Sequence, residues 1–141
     1  MPENKIEKLF YESGALQSEC YYSKEHLHGP SRTFSEEGVL LSETWFLQGQ
    51  KQGTARFFYR NGAPYAIFQF QDGKKEGRQD YFYENGQTKT IEHYTHGNLN
   101  GETILYWPNG QLKRRTIFAN GKRSGLDRIW SETGELIADV S

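Results

Sequence analysis

The glycines of this chain recur at a fixed spacing of 24 residues, in three columns that account for all 15 glycines of the 141-residue sequence. The columns are Gly14, Gly38, Gly62, Gly86, Gly110 and Gly134; Gly29, Gly53, Gly77, Gly101 and Gly125; and Gly49, Gly73, Gly97 and Gly121. A fixed period of this length is typical of repeat proteins, in which each repeat packs against its neighbours.

Aromatic residues follow the same period. One stands four positions before every first-column glycine: Phe10, Phe34, Phe58, Phe82, Tyr106 and Trp130. Another stands eight positions after that glycine wherever the repeat is long enough: Tyr22, Phe46, Phe70, Tyr94 and Phe118. Because short aromatic and β-branched runs between glycines are typical of strands, we predict two strands in each repeat.

Two kinds of turn are predicted. "RNG", "ENG" and "PNG" lie in the middle of a repeat and predict tight hairpin turns, since Asn-Gly tolerates positive φ angles. We call this edge the first rim. "QDGKKEG", "THGNLNG" and "ANGKRSG" lie between repeats and predict longer turns, at the second rim. Glu25 replaces a third-column glycine, and "SEEGVL" replaces the Asn-Gly turn, so altered turn geometry is expected at both places.

The predicted fold class is all-β, an elongated antiparallel β-meander of about six 24-residue β-hairpin repeats. We expect six first strands and about five and a half second strands, because the last repeat stops at Ser141 before its final aromatic column. Residues 1–8 are predicted to be a lead-in and residues 9–141 a single repeat array. The repeats are expected at about 5–28, 29–52, 53–76, 77–100, 101–124 and 125–141.

The faces of the sheet depend on the register at the first rim. With plain two-residue loops, Phe57, Tyr59, Phe68 and Phe70 share one face and Phe58 points to the other. A one-residue bulge instead puts the two fixed aromatic columns together. We favour the bulged register.

The segments "FYENGQTKTIEHYTHGNLNGE" and "LYWPNGQLKRRTIFANGKRSG" resemble MORN repeats. They are closest in pattern to the variant form with a tyrosine-rich strand, found in bacterial YwqK-like antitoxin proteins. The resemblance covers roughly residues 9 to 137. It implies hairpins stacked in a row, no known catalysis and a role in holding partners together. Contact with membranes is proposed for the original MORN repeats. The antitoxin form implies neutralisation of a co-encoded toxin by binding it.

Composition and motifs exclude several classes of function. The formal net charge is -1, so no concentrated basic face for nucleic acid is expected. Cys20 is the only cysteine, and the start of the sequence has no signal-peptide pattern, so we expect a cytoplasmic protein without an internal disulfide. The sequence has no P-loop, nucleophile elbow or zinc-ligand spacing. We therefore expect no enzyme activity, no metal and no cofactor.

Four histidines are candidates for a metal or catalytic site. His93 lies in a sheet-surface column and His96 in a polar turn column, and His26 and His28 flank Leu27 in another turn. A metal site needs three or four converging ligands, so the columns favour a structural role. One alternative is that His26, His28 and His96 tune binding with pH.

Charged residues separate between the two rims. The first rim carries mainly glutamates, and the second carries lysines and an arginine, among them Lys74, Lys75, Lys122 and Arg123. These four predict an alternative function as a membrane-surface or lipid-binding adaptor. The simpler interpretation is that polar turns keep the protein soluble.

The leading hypothesis is a non-catalytic protein-binding module, either antitoxin-like or immunity-like, whose partner is a co-encoded toxin or effector. Its predicted contact residues are aromatic and stand in columns whose residue type varies between repeats: Trp45, Tyr65, Tyr83 and Trp107. We also expect that the sheet edge near residues 135 to 141 can pair with another copy or chain.

Overall fold

A computed structural model describes residues 3–140 of the chain. These residues form fifteen strands and no helix, which confirms the predicted all-β antiparallel fold. Consequently, no helix within them is long and apolar enough to span a membrane. The chain divides into two compact units, Met1–Lys74 and Lys75–Ser141, called the N-terminal and C-terminal units below.

The N-terminal unit is an antiparallel meander. Its strands are β1 (Asn4–Phe10), β2 (Leu16–Ser23), β3 (His26–Phe34), β4 (Leu40–Leu47), β5 (Gln50–Lys51), β6 (Gly53–Phe58) and β7 (Pro64–Gln71), and β8 (Lys74–Lys75) begins at its last residue. Neighbouring strands follow the order β1-β2-β3-β4-β6-β7, and the short β5 pairs with β4.

The C-terminal unit has the same construction. Its strands are β9 (Gly77–Phe82), β10 (Thr88–Thr95), β11 (Asn98–Leu99), β12 (Gly101–Tyr106), β13 (Leu112–Ala119), β14 (Lys122–Trp130) and β15 (Leu136–Val140). Their order is β9-β10-β12-β13-β14-β15, and β11 pairs with β10.

The second rim, where longer turns were predicted, has two-residue hairpin loops. Leu47 pairs with Gln50, and the intervening Gln48 and Gly49 have φ angles of 47° and 83°. Two consecutive left-handed residues define a type I′ turn. The same pair of angles recurs at Asp72-Gly73, His96-Gly97 and Asn120-Gly121. At the turn that lacks glycine, Lys24 keeps a φ of 58° but Glu25 is not left-handed, so this turn is altered as expected.

The first rim, where the tight turns were predicted, has three-residue loops. The Tyr59 N–H donates to the Ala63 carbonyl (2.7 Å), and the Gly62 N–H donates to the Tyr59 carbonyl (2.9 Å). This pattern combines a type I turn with one left-handed residue, Gly62, at φ 89°. Because asparagine needs no positive φ here, the expected alteration at "SEEGVL" is wrong: Ser35, Gly38 and Val39 make the same two bonds.

Each first-rim hairpin contains a bulge. Phe57 lies opposite Ala66 while Phe58 lies opposite Pro64, which leaves Tyr65 as the extra residue. Equivalent shifts occur in the other hairpins. The predicted bulge is confirmed, but its predicted effect is wrong. The bulge lies at the loop end of the two strands, and the pairs farther from the loop are in regular register. Phe57 and Phe68 therefore share one face, and Phe58 points to the other.

Fully buried hydrophobic side chains are few. Within residues 3–140 they are Ala55 and Ala66, whereas the buried polar residues are Ser35, Glu43, Gln79, Thr103, Thr116 and Asp127. Successive repeats are also joined by backbone hydrogen bonds. At the second rim the N–H groups of Gly49, Gly73, Gly97 and Gly121 donate to carbonyls of the preceding repeat, at 2.7–3.0 Å.

Candidate binding surface

A row of five aromatic rings crosses β6, β7 and the loop between them. The aromatic row consists of Tyr59, Tyr65, Phe57, Phe68 and Phe70, in that order. Successive ring centroids are 5.4, 5.8, 5.5 and 6.5 Å apart. These separations and their tilted or edge-on geometries are those that aromatic pairs favour. The Lys51 ammonium extends the row, 5.0 Å from the centre of the Phe70 ring.

Two alanines share the face of the aromatic row. Ala55 lies directly opposite Phe68, and Ala66 directly opposite Phe57. Both alanines are buried, but no ring of the row is fully buried, and Tyr65 is 39% exposed. The row is therefore a partly solvated apolar surface, and the two buried alanines lie opposite two of its rings on the same face.

The opposite face of the N-terminal unit carries a charged row. Its members are successive cross-strand partners of alternating sign: Lys8, Glu19, Arg32, Glu43 and Arg56. Arg32 donates to Glu19 (3.2 Å) and to Glu43 (2.7 Å), and Arg56 donates to Glu43 (2.5 Å). Burial raises the pKa of Glu43, but the hydrogen bonds from Arg56 and Arg32 outweigh it, so the net shift is downward.

Trp45 and Tyr65 lie on opposite faces of the N-terminal unit. Trp45 is 43% exposed, and its indole N–H donates to Glu43 Oε1 (3.4 Å) on the charged row. Tyr65 stacks against Phe57 and Tyr59 in the aromatic row. These two predicted contact residues therefore cannot form one continuous surface.

The polar atoms of Tyr83 and Trp107 donate hydrogen bonds within the C-terminal unit. The Tyr83 hydroxyl donates to the Tyr106 carbonyl (2.6 Å), and the Trp107 indole N–H donates to the Trp130 carbonyl (3.0 Å). Burial raises the pKa of Tyr83. The ammonium groups of Lys89 and Lys113 lie over the two rings, at 5.7 and 4.4 Å from their centres. Both residues thus join neighbouring repeats.

The four predicted basic residues differ in their surroundings. Lys74 belongs to the N-terminal unit, and Lys75, Lys122 and Arg123 belong to the C-terminal unit. Lys74 and Lys122 are exposed, whereas the Lys75 ammonium lies 5.1 Å from the centre of the Tyr94 ring. Arg123 donates to Asp127 Oδ2 (3.0 Å).

Asp127 is the centre of an ion cluster in the C-terminal unit. Its carboxylate accepts two hydrogen bonds from Arg114, both 2.8 Å, and one each from Thr116 and Arg123, both 3.0 Å. The bonds from Arg114 lower the pKa of Asp127 to about 2, against the opposing effect of burial. The cluster joins two neighbouring strands, β13 and β14, and holds the Arg123 side chain.

His28, His93 and His96 take part in local hydrogen bonds. A ring nitrogen of His93 lies 2.9 Å from the Glu102 carbonyl on the neighbouring strand. His28 Nδ1 accepts from the Gln48 N–H (3.2 Å), and Glu76 accepts from the His96 N–H (2.9 Å). Residues 3–140 contain no cluster of three or more histidine, cysteine or acidic side chains suited to a metal ion.

Sequence reasoning did not select Phe57, Tyr59, Phe68 and Phe70 as contact residues. The available signal was period-two spacing of aromatic residues on both strands of one hairpin, "FFY" and "IFQF", which places alternate rings on one face. That signal was outweighed by the variation between repeats, which favoured isolated positions.

The fold and this surface define a β-hairpin repeat protein with an aromatic face. Residues 3–24, 75–96 and 99–122 match the model of the MORN repeat variant family. These three segments are therefore similar to MORN-variant repeats, a repeat class that is commonly a non-catalytic binding module and generally non-enzymatic. A search of curated proteins gives no match.

Proposed function

We propose that this protein is a cytoplasmic protein-binding module that uses the aromatic row to cover a protein partner. The observation that supports the proposal is the row itself, five partly solvated rings in contact across one hairpin. Tyrosine and phenylalanine rings supply large contact area at low cost in side-chain entropy, and such residues concentrate binding energy in interfaces.

The chemistry of the row indicates the kind of partner. Its rings are apolar, with hydroxyl groups at Tyr59 and Tyr65 and one cation at Lys51. The fitting surface is an apolar patch with hydrogen-bonding groups and a carboxylate at its border. An antitoxin-like or immunity-like role, in which the partner is a co-encoded toxin or effector, is consistent with such a surface.

Binding to a membrane surface is the second candidate. It relies on Lys74, Lys75, Lys122 and Arg123. Two of these side chains already have partners within the C-terminal unit: Lys75 at the Tyr94 ring and Arg123 at Asp127. The remaining exposed charges support electrostatic binding to anionic lipid only weakly.

The test compares two exposed aromatic residues on opposite faces. The protein is mixed with the products of neighbouring genes, and affinity is measured by calorimetry. Tyr65→Ala is expected to weaken the complex at least about tenfold. Truncation of a hot-spot residue in an interface typically costs about 2 kcal/mol or more. Trp45→Ala is the matched control and should change affinity by less than about threefold.

Two outcomes would contradict the proposal. One is the absence of any complex with a co-encoded protein at micromolar concentration. The other is a larger effect of Trp45→Ala than of Tyr65→Ala, which would move the interface to the opposite face. Flotation with anionic vesicles that is lost on Lys74→Ala or Lys122→Ala would favour the membrane-surface candidate instead.

A further inference from the structure

The strands β1 and β15 are outer strands in the described part of the chain. Within residues 3–140, β1 has one neighbouring strand, β2, and β15 has one, β14. Among the described residues, nine large hydrophobic side chains are exposed, and six of them lie on these two strands: Ile6, Leu9, Phe10, Leu136, Ile137 and Val140. A strand with an open row of backbone N–H and C=O groups and exposed apolar side chains readily pairs with another strand.

The repeat period relates the two outer strands to an observed pair of inner strands. Where β4 meets β6, Glu43 lies opposite Arg56, and their side chains form a 2.5 Å ion pair. Asp139 on β15 occupies the column of Glu43, four repeats later. Lys8 on β1 occupies the column of Arg56, two repeats earlier. The two outer strands thus carry the same acid and base, at the same columns, as an ion pair already present within the sheet.

We propose that β15 of one copy pairs with β1 of a second copy of this chain, antiparallel and in the register of β4 and β6. Asp139 then lies opposite Lys8 of the second copy. Ala138 lies opposite Leu9 of the second copy, as Ser42 lies opposite Phe57. A small side chain faces a large one in both pairs, so the register is compatible in shape as well as in charge.

The charges on both strands suit this register. Asp139 already accepts from Arg128 (3.1 Å), and Lys8 lies opposite Glu19. The proposed contact therefore continues an alternation of sign: Arg128, Asp139, Lys8 and Glu19. Because the two strands differ, the association is head-to-tail, so β1 of the first copy and β15 of the second do not take part in the contact between them.

The test uses two charge reversals, measured by sedimentation velocity over a range of concentrations. Asp139→Lys places a cation opposite Lys8, and Lys8→Glu places a carboxylate opposite Asp139. Each variant alone is expected to associate at least about tenfold more weakly than the natural chain, because like charges opposed in an interface are strongly unfavourable. An equimolar mixture of the two variants regains association, since every contact between unlike copies is again between opposite charges.

The mixture separates a lost interface from a damaged strand. Each reversal also disturbs a pair within its own copy, Asp139 with Arg128 or Lys8 with Glu19, and mixing does not repair that disturbance. Arg60→Glu, a reversal on an exposed residue in the loop between β6 and β7, is the control and should associate as the natural chain does. The proposal is overturned if the natural chain stays monomeric at about millimolar concentration, a range that captures weak contacts, or if the mixture associates no better than its components.

Discussion

The hydroxyl of Tyr83 donates a 2.6 Å hydrogen bond to the backbone carbonyl of Tyr106, the fixed aromatic residue of the next repeat. Tyr11 makes the same bond to Phe34 (2.6 Å), and Trp107 makes it from an indole N–H to Trp130 (3.0 Å). All three bonds span 23 residues. A single column therefore ties each of these repeats to its successor.

Removal of the Tyr83 hydroxyl should weaken the contact between its repeat and the next and so lower the stability of the protein. Tyr83→Phe keeps the ring and loses the donor, which leaves the Tyr106 carbonyl without this bond. We expect a loss of about 1 kcal/mol in the free energy of unfolding, measured by urea titration. Tyr65→Phe keeps its ring contacts in the aromatic row and is the control, with an expected change below about 0.5 kcal/mol. Equal effects of the two changes would contradict the role assigned to Tyr83.

The Asn109 side chain makes two hydrogen bonds at the first rim, one within its own loop and one to the next loop. Its Oδ1 accepts from the Gln111 N–H (2.9 Å) within its own loop, and its Nδ2 donates to the Glu132 carbonyl (3.0 Å) of the next loop. Asn109→Asp keeps the acceptor and loses the donor, while Asn109→Ala loses both. Chemical denaturation should therefore rank alanine as the more destabilising, by about 0.5–1 kcal/mol over aspartate. The reverse order would show that repulsion between the new carboxylate and the Glu132 carbonyl exceeds the contribution of the bond within the loop.

The type I′ turn at Asn120-Gly121 predicts opposite effects at adjacent positions. Gly121 has a φ of 83°, and a Cβ placed there would come no closer than 3.9 Å to Asn98 Oδ1. Gly121→Ala should then cost about 1–2 kcal/mol through its left-handed backbone alone. Asn120→Gly, at a φ of 51°, should be neutral or slightly stabilising. Thermal melts of both variants test the turn type, because a turn without two left-handed residues would not show this contrast.

Asp127 should make stability depend on pH in the acid range. Its pKa is about 2 in the folded protein, below the ordinary value of 3.8, because Arg114 stabilises the carboxylate. A lowered folded pKa gives stabilisation that is fully present above the unfolded pKa and is lost as pH falls through the folded pKa. The difference in unfolding free energy between the natural chain and Asp127→Asn should therefore shrink between about pH 4 and pH 2. A difference that stays constant over this range would contradict the assigned pKa.

The glycine period was sufficient to predict the fold, because each column constrains the same position in several repeats at once. The turn types were assigned to the wrong rims for a local reason. An Asn-Gly pair is compatible both with a two-residue loop and with a three-residue loop in which only the glycine is left-handed. Gln48, Asp72 and His96, which are left-handed in the structure, carry no comparable signal, since side chains other than glycine seldom adopt this backbone conformation.

The candidate surface was only partly predictable. Variation between repeats predicts Tyr65 as a contact residue but not its neighbours in the aromatic row, whose common face depends on where the bulge lies. The same variation predicts Tyr83 and Trp107 as contact residues, although their polar atoms bond to carbonyls 23 residues away. Such contacts between repeats depend on the lateral offset of successive hairpins, which spacing along the chain does not specify.

The small number of buried apolar side chains has a calorimetric consequence. Unfolding raises the heat capacity chiefly by exposing apolar surface, and a typical protein shows a rise of about 12–15 cal/mol/K per residue. In residues 3–140 the fully buried hydrophobic side chains are two alanines, while six polar residues are buried. Since exposure of polar surface lowers the heat capacity, the rise per residue should fall below that range. Scanning calorimetry measures this rise directly. A smaller rise gives a flatter curve of unfolding free energy against temperature, so the protein should lose little stability on cooling.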